Sequence, residues 1–472
     1  MKPMHLNHVS LAVLLLLAAC AQPGGEARRP EVMLPGQFLA AANDGTASSE
    51  PIQSDWWTLF GDTELDRLVR AALAHNSDIA QAVARVELAD AQQREVAGAR
   101  KPGLDLGANA TRSRSSGLTT SARSPAGATG NDFRVAGSTS FELDFWGKLR
   151  GADEAARALA LASRDARDTV RLTVSGAVVQ GWIALHALDE QQRLTRETLR
   201  ARDESLRVLD LRLRGGSSSG LEVEQARVLR ADTALQLLEL GRQRALVQSQ
   251  LALLVGDAGL GIAAAPANPL PATPAPPAGL PSSLLERRPD IQRAEQALAA
   301  AHAQLTVARA AMFPTLSLTG LLGGESMDLS NLLNAPGRIW SLGFGLTLPL
   351  FDGGRTRART VQAAAREQEA VAAYQGAVAS AFKETADALS NLAAARGSEA
   401  DLLVREQASA RALKLSQLRY DSGATGFLDL LDSQRTAYAA QLDRVRNRQA
   451  QLSYSVDLFK ALGGGWEPEA TR

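Results

Sequence analysis

The chain has 472 residues, 51 of them basic and 51 acidic, with 45% hydrophobic and only 4% aromatic content. A formal net charge of zero argues against nucleic acid as a partner, because neutralising phosphates takes a basic excess. A single cysteine excludes an internal disulfide framework and a CxxC zinc site, and the five histidines are scattered with no HExxH among them.

Residues 1–19 read as an export signal. Lys2 supplies charge, 11–17 an apolar stretch too short to span a bilayer, and Ala18 and Ala19 the small residues of a cleavage site. Leu17-Ala18-Ala19-Cys20 is similar to a bacterial lipobox. That likeness implies cleavage before Cys20 and acylation of its thiol and new amino group, with no other cofactor. Ala21 stands where aspartate would favour retention at the inner membrane, so the expected address is the outer membrane of a Gram-negative bacterium. Residues 20–61, rich at first in Gly, Pro, Ala and Ser, suit a lipid-anchored tether.

The remainder is two copies of one unit, 62–256 and 283–463, joined by a Pro-rich linker over 257–282 and followed by a tail over 464–472. Asp78-Ile79 and Asp290-Ile291 are 212 residues apart, as are Pro102 and Pro314. Gly216 and Gly423 are 207 apart, as are Gly256 and Gly463, which requires a net five-residue indel between the two sets. Each copy reads helix, strand, loop, strand, very long helix, turn, helix. The first helix is expected over about 62–100, with Asp62 as N-cap. Strands are expected at about 103–114 and 133–146 in the first copy, and at about 314–322 and 338–351 in the second. Phe133, Val135, Thr139, Phe141, Leu143 and Phe145 alternate with Arg134, Ser138, Ser140, Glu142 and Asp144. Trp340, Leu342, Phe344, Leu346, Leu348 and Leu350 alternate with Ser341, Gly343, Gly345 and Thr347.

One apolar face commonly means a core, but long helices flank both strand pairs and no second sheet is available to cover them. In an exported lipoprotein the bilayer can take that role, with Phe145, Trp146, Trp340 and Phe351 as interfacial aromatics. Four strands cannot close a barrel, and open edges are not tolerated in hydrocarbon. Several chains must therefore share one barrel, and physics alone does not choose between two, three or four. Stretches without proline over about 148–213 and 355–420 predict helices of roughly 100 Å at 1.5 Å per residue. Leu199, Leu206, Leu209 and Leu213 carry a coiled-coil spacing.

Several motifs in order carry a resemblance over nearly the whole mature chain. They are the lipobox, Asp55-Trp56-Trp57 with Phe60-Gly61-Asp62, the 141–150 run FELDFWGKLR, Arg288-Pro289-Asp290-Ile291, Phe313-Pro314, the 348–355 run LPLFDGGR and the 461–466 run ALGGGW. The chain resembles the TolC-like outer-membrane factors, in the lipoprotein (NodT-like) branch of tripartite RND-type efflux systems. The resemblance implies an α+β membrane protein: a homotrimer with a shared 12-stranded β-barrel continued by a 12-helix periplasmic α-barrel. It implies a passive exit duct for drugs or other toxic small molecules, docked to a periplasmic adaptor and an inner-membrane pump, with no reaction catalysed. Asp55-Trp56-Trp57 would be packing near the tunnel's equator.

Two turns, at about 214–220 and 421–426, should form the periplasmic end. Gly216 and Gly423 suit helix C-caps by themselves; the resemblance adds adaptor contact at both. Leu428 and Asp432 are i, i+4 and so share a helix face. The resemblance carries Leu428, Asp432 and Arg435 to the family's gate, with Asp432 in an acidic constriction and Arg435 paired to a neighbouring carboxylate. The first copy departs, with Gln225 where Asp432 sits, so the gate should lean on the second hairpin. A periplasmic adaptor would need many short soluble strands, and a structural stalk would leave the amphipathic strands unexplained. An enzyme would need a constellation the sequence lacks, and no metal site is readable.

Overall fold

The computed structural model describes residues 53–116, 129–264, 270–274 and 287–465, with Pro30 and Leu118. The 1–19 signal, Cys20, nearly all of the tether, much of the linker and the tail from Trp466 lie outside the described residues. The helices are α1 (Thr63–His75), α2 (Ser77–Gly98), α3 (Lys148–Arg214), α4 (Gly220–Val255), α5 (Pro289–Ala310), α6 (Arg355–Gly397), α7 (Glu399–Asp421) and α8 (Phe427–Ala461). The strands are β1 (Asp105–Arg114), β2 (Thr129–Leu143), β3 (Thr315–Ser326) and β4 (Arg338–Thr347).

The chain forms two compact units, and both cut across the repeats. One takes Arg85–Ser163 and Arg293–Gln375, and so holds all four strands. Its sheet is ordered β1-β2-β3-β4 and antiparallel throughout. The two strand pairs read from the sequence are thus one continuous sheet, joined where β2 of the first copy meets β3 of the second. Register along that join runs from Phe133 opposite Ser326 to Leu143 opposite Leu316. β2 ends at Leu143 and β4 at Thr347, so Phe145, Trp146 and Phe351 follow the strands rather than ending them, a correction to the expected bounds. Asp144 directly follows β2 and its carboxylate accepts the Arg150 N–H of α3, while β4 stops just before Leu348-Pro349, where proline has no N–H for the ladder; the Asp352 carboxylate then accepts the Thr356 N–H of α6.

The other unit draws on 53–84, 164–292 and 376–465. Asp62 caps α1 as expected, its Oδ1 accepting from the Leu65 N–H at 2.8 Å. The single helix expected over 62–100 breaks at Asn76, which is extended. Its side chain accepts from the N–H groups of Asp78 and Ile79 and so starts α2. The second proline-free stretch is likewise two helices, α6 and α7, meeting at Ser398. α3 is continuous over 67 residues, about 100 Å at 1.5 Å per residue.

The main core lies in this unit. Leu65, Leu68, Val69 and Ala72 of α1 share one helical face and meet Val178, Trp182 and Ile183 of α3, Leu251 and Val255 of α4, and Leu452, Val456 and Phe459 of α8. Trp56 stacks on Phe459 at 5.1 Å between centroids, and Trp57 and Phe60 are buried beside it. The Trp56-Trp57 pair is therefore packing, each large side chain contributing roughly 1.5–3 kcal/mol by burial.

The repeat is visible in the bonds that close this core. Gly256 and Gly463 end α4 and α8 with positive φ, and in each the next residue's N–H reaches back five residues, Asp257 to Ala252 and Gly464 to Phe459. A Cβ on Gly256 would lie 2.7 Å from the His75 carbonyl oxygen, and one on Gly463 closer still to that of Arg287, the residue 212 positions later. Next to them, Asn76 Nδ2 donates to the Leu254 carbonyl at 2.9 Å, while Arg288 Nη1 donates to the Ala461 carbonyl at 3.0 Å. The same tie is made by an amide in one copy and a guanidinium in the other. Arg288 is buried and also holds Asp290 and Glu384, each at 2.7 Å. Burial opposes its charge, but the two carboxylates outweigh that and raise its pKa.

These contacts separate two kinds of glycine. Gly423→Ala adds a Cβ that meets nothing within 4 Å, leaving only left-handed backbone strain of about 1–2 kcal/mol. Gly463→Ala adds that strain and a collision with backbone. The melting temperature of the detergent-extracted protein is expected to fall several degrees further for Gly463→Ala. Equal shifts would contradict the close approach.

Candidate functional site: membrane sheet and hairpin tips

Register decides what each face of the sheet offers. Leu316, Leu318, Gly320 and Leu322 of β3 stand opposite Leu143, Phe141, Thr139 and Gly137 of β2 on one side, and opposite Leu346, Phe344, Leu342 and Trp340 of β4 on the other. Farther along the same face, Phe133 and Val135 stand opposite Ala110 and Ala108 of β1. The second face carries Asp105, Asn109 and Thr111, Arg134, Ser138, Ser140 and Glu142, Ser317, Thr319 and Glu325, then Ser341, Gly343, Gly345 and Thr347. On it Arg134 faces Glu325 across the β2–β3 join at 3.8 Å. Among the described residues the apolar face has no cover: Trp340 is 77% exposed, and Leu342, Phe344 and Leu346 are exposed with it. β1 and β4 leave two edges unpaired. No described helix is long and apolar enough to cross a membrane, which leaves the sheet as the surface suited to hydrocarbon.

The four expected interfacial aromatics differ in setting. Trp340 lies near the start of β4 on the apolar face, and Phe145 and Phe351 are exposed just past β2 and β4. Trp146 is held in place: its ring stacks on Phe313 at 4.8 Å, and its Nε1 donates to the Pro314 carbonyl at 2.7 Å.

The two hairpin turns have one construction. The N–H of Gly216 bonds the Leu213 carbonyl and that of Ser217 the Arg212 carbonyl; Gly423 and Ala424 repeat this with Tyr420 and Arg419. Both glycines have positive φ, 73° and 76°, and both are exposed. The starts differ. Ser219 and Glu222 form a reciprocal capping box on α4, whereas Gly426 precedes α8 without a side-chain cap and Thr425 donates to Asp429 instead.

A small core joins the tips. Leu209, Val223 and Ala226 of the first hairpin pack with Phe427, Leu430 and Leu431 of the second. Tyr420 packs on Phe427 at 5.4 Å, and the Arg212 guanidinium lies 5.5 Å from the Tyr420 ring centre and 3.7 Å from Asp421. Burial, with the charge of Glu222, pushes the Tyr420 phenol up, although Arg212 opposes this. This cluster escaped the sequence reading; the aromatics flanking the second turn were its available signal.

Leu428, Asp432 and Arg435 lie on the opposite, exposed face of α8, with Leu428 66% exposed. Spacings of four and three put them on one stripe beginning just beyond the turn. Among the described residues, neither Asp432 nor Arg435 has an ion-pair partner within the chain. The equivalent stripe of α4 is Leu221, Gln225 and Val228, and exposed leucines continue it at Leu235, Leu238, Leu246 and Leu253.

The face assignment gives a direct contrast between neighbours. Leu342→Arg places a cation in the apolar band, at a cost of about 2–4 kcal/mol at its centre. Ser341→Arg places it on the polar face. The membrane-inserted, protease-resistant fraction is expected to fall sharply for Leu342→Arg and to hold for Ser341→Arg. Equal tolerance of both would refute lipid contact.

Known proteins share this architecture. The model of the outer membrane efflux protein family matches residues 68–257 and 280–464, one segment in each repeat. The pyoverdine export outer membrane protein OpmQ of Pseudomonas aeruginosa is 37% identical, over 98% of this chain and 98% of its own. The cation efflux system protein CusC of Escherichia coli K12 is 32% identical, over 96% and 98%. The solved structure of the outer-membrane channel OprN superposes with a TM-score of 0.89 at 29% identity, covering 94% of this chain and all of that one. An apolar strand face and this agreement along the full length have one explanation: the chain belongs to the outer membrane efflux protein family and is an outer-membrane efflux channel.

Proposed function

We propose that three copies of the chain close edge to edge into a 12-stranded barrel, continued by a tunnel of helices in the periplasm. The observation that carries this reading is the four-stranded sheet with one face apolar over most of its height and two edges unpaired within the chain. In hydrocarbon those edges need partners, and identical sheets in a ring supply them. The exposed leucine stripe of α4 gives the helices a matching side-to-side contact. The duct would work passively, with an inner-membrane pump supplying the energy, a periplasmic adaptor meeting the turns at Gly216 and Gly423, and no reaction catalysed in its wall.

In that assembly the second hairpins would bring Leu428, Asp432 and Arg435 inward as three rings. Leu428 would make an apolar constriction and Asp432 an anionic one that holds cations. Arg435, without a carboxylate partner among the described residues of its own chain, would find one on a neighbour and hold the end shut. The first hairpin offers Leu221, Gln225 and Val228 at these places, so the charged gate would rest on α8 alone. Cargo would be set by pump and adaptor: the names of two relatives of similar identity speak of pyoverdine export and cation efflux.

Single-channel recording in planar bilayers tests the gate. The wild type should show a small, cation-preferring conductance, and Asp432→Ala a larger or less cation-selective one. Absence of conductance after verified insertion would overturn the duct, while identical traces would remove Asp432 from the gate. Separately, Cys20 is the proposed anchor. Cys20→Ser should abolish incorporation of labelled palmitate, and undiminished labelling would exclude Cys20 as the acylated residue.

A further inference from the structure

The outward, apolar face of the sheet changes character toward the end where β1 turns to β2 and β3 to β4. Beyond Ala108 and Ala110, the outward positions of β1 are Arg112 and Arg114. On β4 the outward series Leu346, Phe344, Leu342 and Trp340 ends at Arg338. All three arginines are exposed, and among the described residues none has an acidic partner. The sequence of the 115–128 connection adds Arg123 and no acid.

The three lie at one depth. Arg338 shares a row of the sheet with Gly324, Val135 and Ala108, and β1 continues six residues past that row, from 108 to 114. At the helical end the displacement has the same sense: Leu346, Leu316 and Leu143 share a row, yet β1 begins opposite Ser138, five residues short of 143. A sheet displaced alike at both ends is tilted across its layer, so the outer ends of β1 and β4 are level. From Trp340 to Leu346, six residue steps of chain cover about 20 Å at 3.4 Å per residue, most of the roughly 25 Å height of an outer-membrane apolar band. An interfacial tryptophan and then an arginine is the order expected on leaving hydrocarbon for headgroups.

We propose that Arg112, Arg114 and Arg338 form a cationic belt that binds phosphate groups of the glycolipid headgroups in the outer leaflet. The belt continues the lipid-facing surface at its rim, and it lies at the end away from the helices, hence away from the periplasm. Guanidinium forks match phosphate oxygens in paired hydrogen bonds. In a ring of copies, β4 of one chain lies beside β1 of the next, which gathers the three arginines at every seam. That gathering rests on the trimeric reading above; the outward exposure does not.

The test uses the full-length channel in detergent, with trimer and conductance verified on the same preparation. It is titrated with bisphosphorylated lipid A, with its dephosphorylated form and with phosphatidylglycerol, and retained lipid is counted by native mass spectrometry. The wild type should retain lipid A roughly tenfold or more tightly than the dephosphorylated form, the scale of a few surface arginines acting on phosphate. R112Q/R114Q/R338Q should lose that preference. R411Q/K414Q/R419Q, which removes as many exposed cations from α7, should keep it. Equal loss in the α7 variant, retention in the belt variant, or phosphatidylglycerol binding as tight as lipid A would overturn the belt. Should the triple variant not assemble, Arg338→Gln alone should lose part of the preference, and an unchanged preference would count against the belt. Failure of the wild type to form trimers or conduct would strike the duct reading, while lipid retention would still decide the belt.

Discussion

A sheet edge in hydrocarbon is the constraint from which the rest follows. Each unpaired N–H or C=O at β1 or β4 would cost several kcal/mol without water to meet it. The apolar face is not folded inward either, because the described residues hold no second sheet to cover Trp340, Leu342 and Phe344. The polar face can accept water, and its small residues, Gly343, Gly345, Ser317 and Thr319, leave room for it. One chain therefore presents a piece of wall rather than a container, a third of it in the proposed trimer.

The duplicated unit is symmetric in backbone and asymmetric in chemistry. The two long helices end on the same kind of glycine, packed against the same kind of carbonyl. The side chain that ties each end is an amide in the first copy and a guanidinium with two carboxylates in the second. A guanidinium needs partners once buried, whereas an amide is satisfied by a carbonyl and a helix start. The hairpins diverge in the same way, with a capping box on α4 and an uncapped start with charged residues on α8. Duplication fixed the spacing of the wall and left its side chains free to differ.

Much of this was legible in the sequence. Alternation gave both strand pairs and their faces, and paired glycines gave both turns and the period. The family motifs placed Leu428, Asp432 and Arg435 on one stripe, where the structure also puts them. What escaped was non-local or rested on one side chain. The β2–β3 join connects residues nearly two hundred positions apart, and no local pattern encodes it. The break at Asn76 depends on a cap that competes with helix continuation, and composition alone does not rank the two. The ends of β2 and β4 were overdrawn because the alternation runs on through Phe145 and Leu350, past Asp144, which turns the chain toward a helix, and past Pro349, which has no N–H for the ladder. The partners that hold Trp146, Phe313 and the Pro314 carbonyl, lie in the other repeat, where no local pattern shows them.

The hairpin tips show why the two repeats must differ if such a duct is to close. Val223 and Leu430 are equivalent positions, and both point into the small core that ties tip to tip. That face is spent on holding the hairpins together, and only the opposite face remains for the tunnel or for neighbours. Were both repeats alike there, a proposed trimer would carry six identical aspartates at one level, and their mutual repulsion would work against closure. With Gln225 in the first copy, that trimer would instead alternate three carboxylates with three neutral amides around the ring. Arg435, one helical turn from Asp432, has Val228 as its counterpart, so each guanidinium would be flanked by apolar neighbours from the first hairpins. A cation beside an apolar surface gains most from a carboxylate when both are withdrawn from water, and narrowing the aperture would do just that. The same pair would weaken as the aperture widened and water entered, giving the tip two stable conditions rather than a continuum.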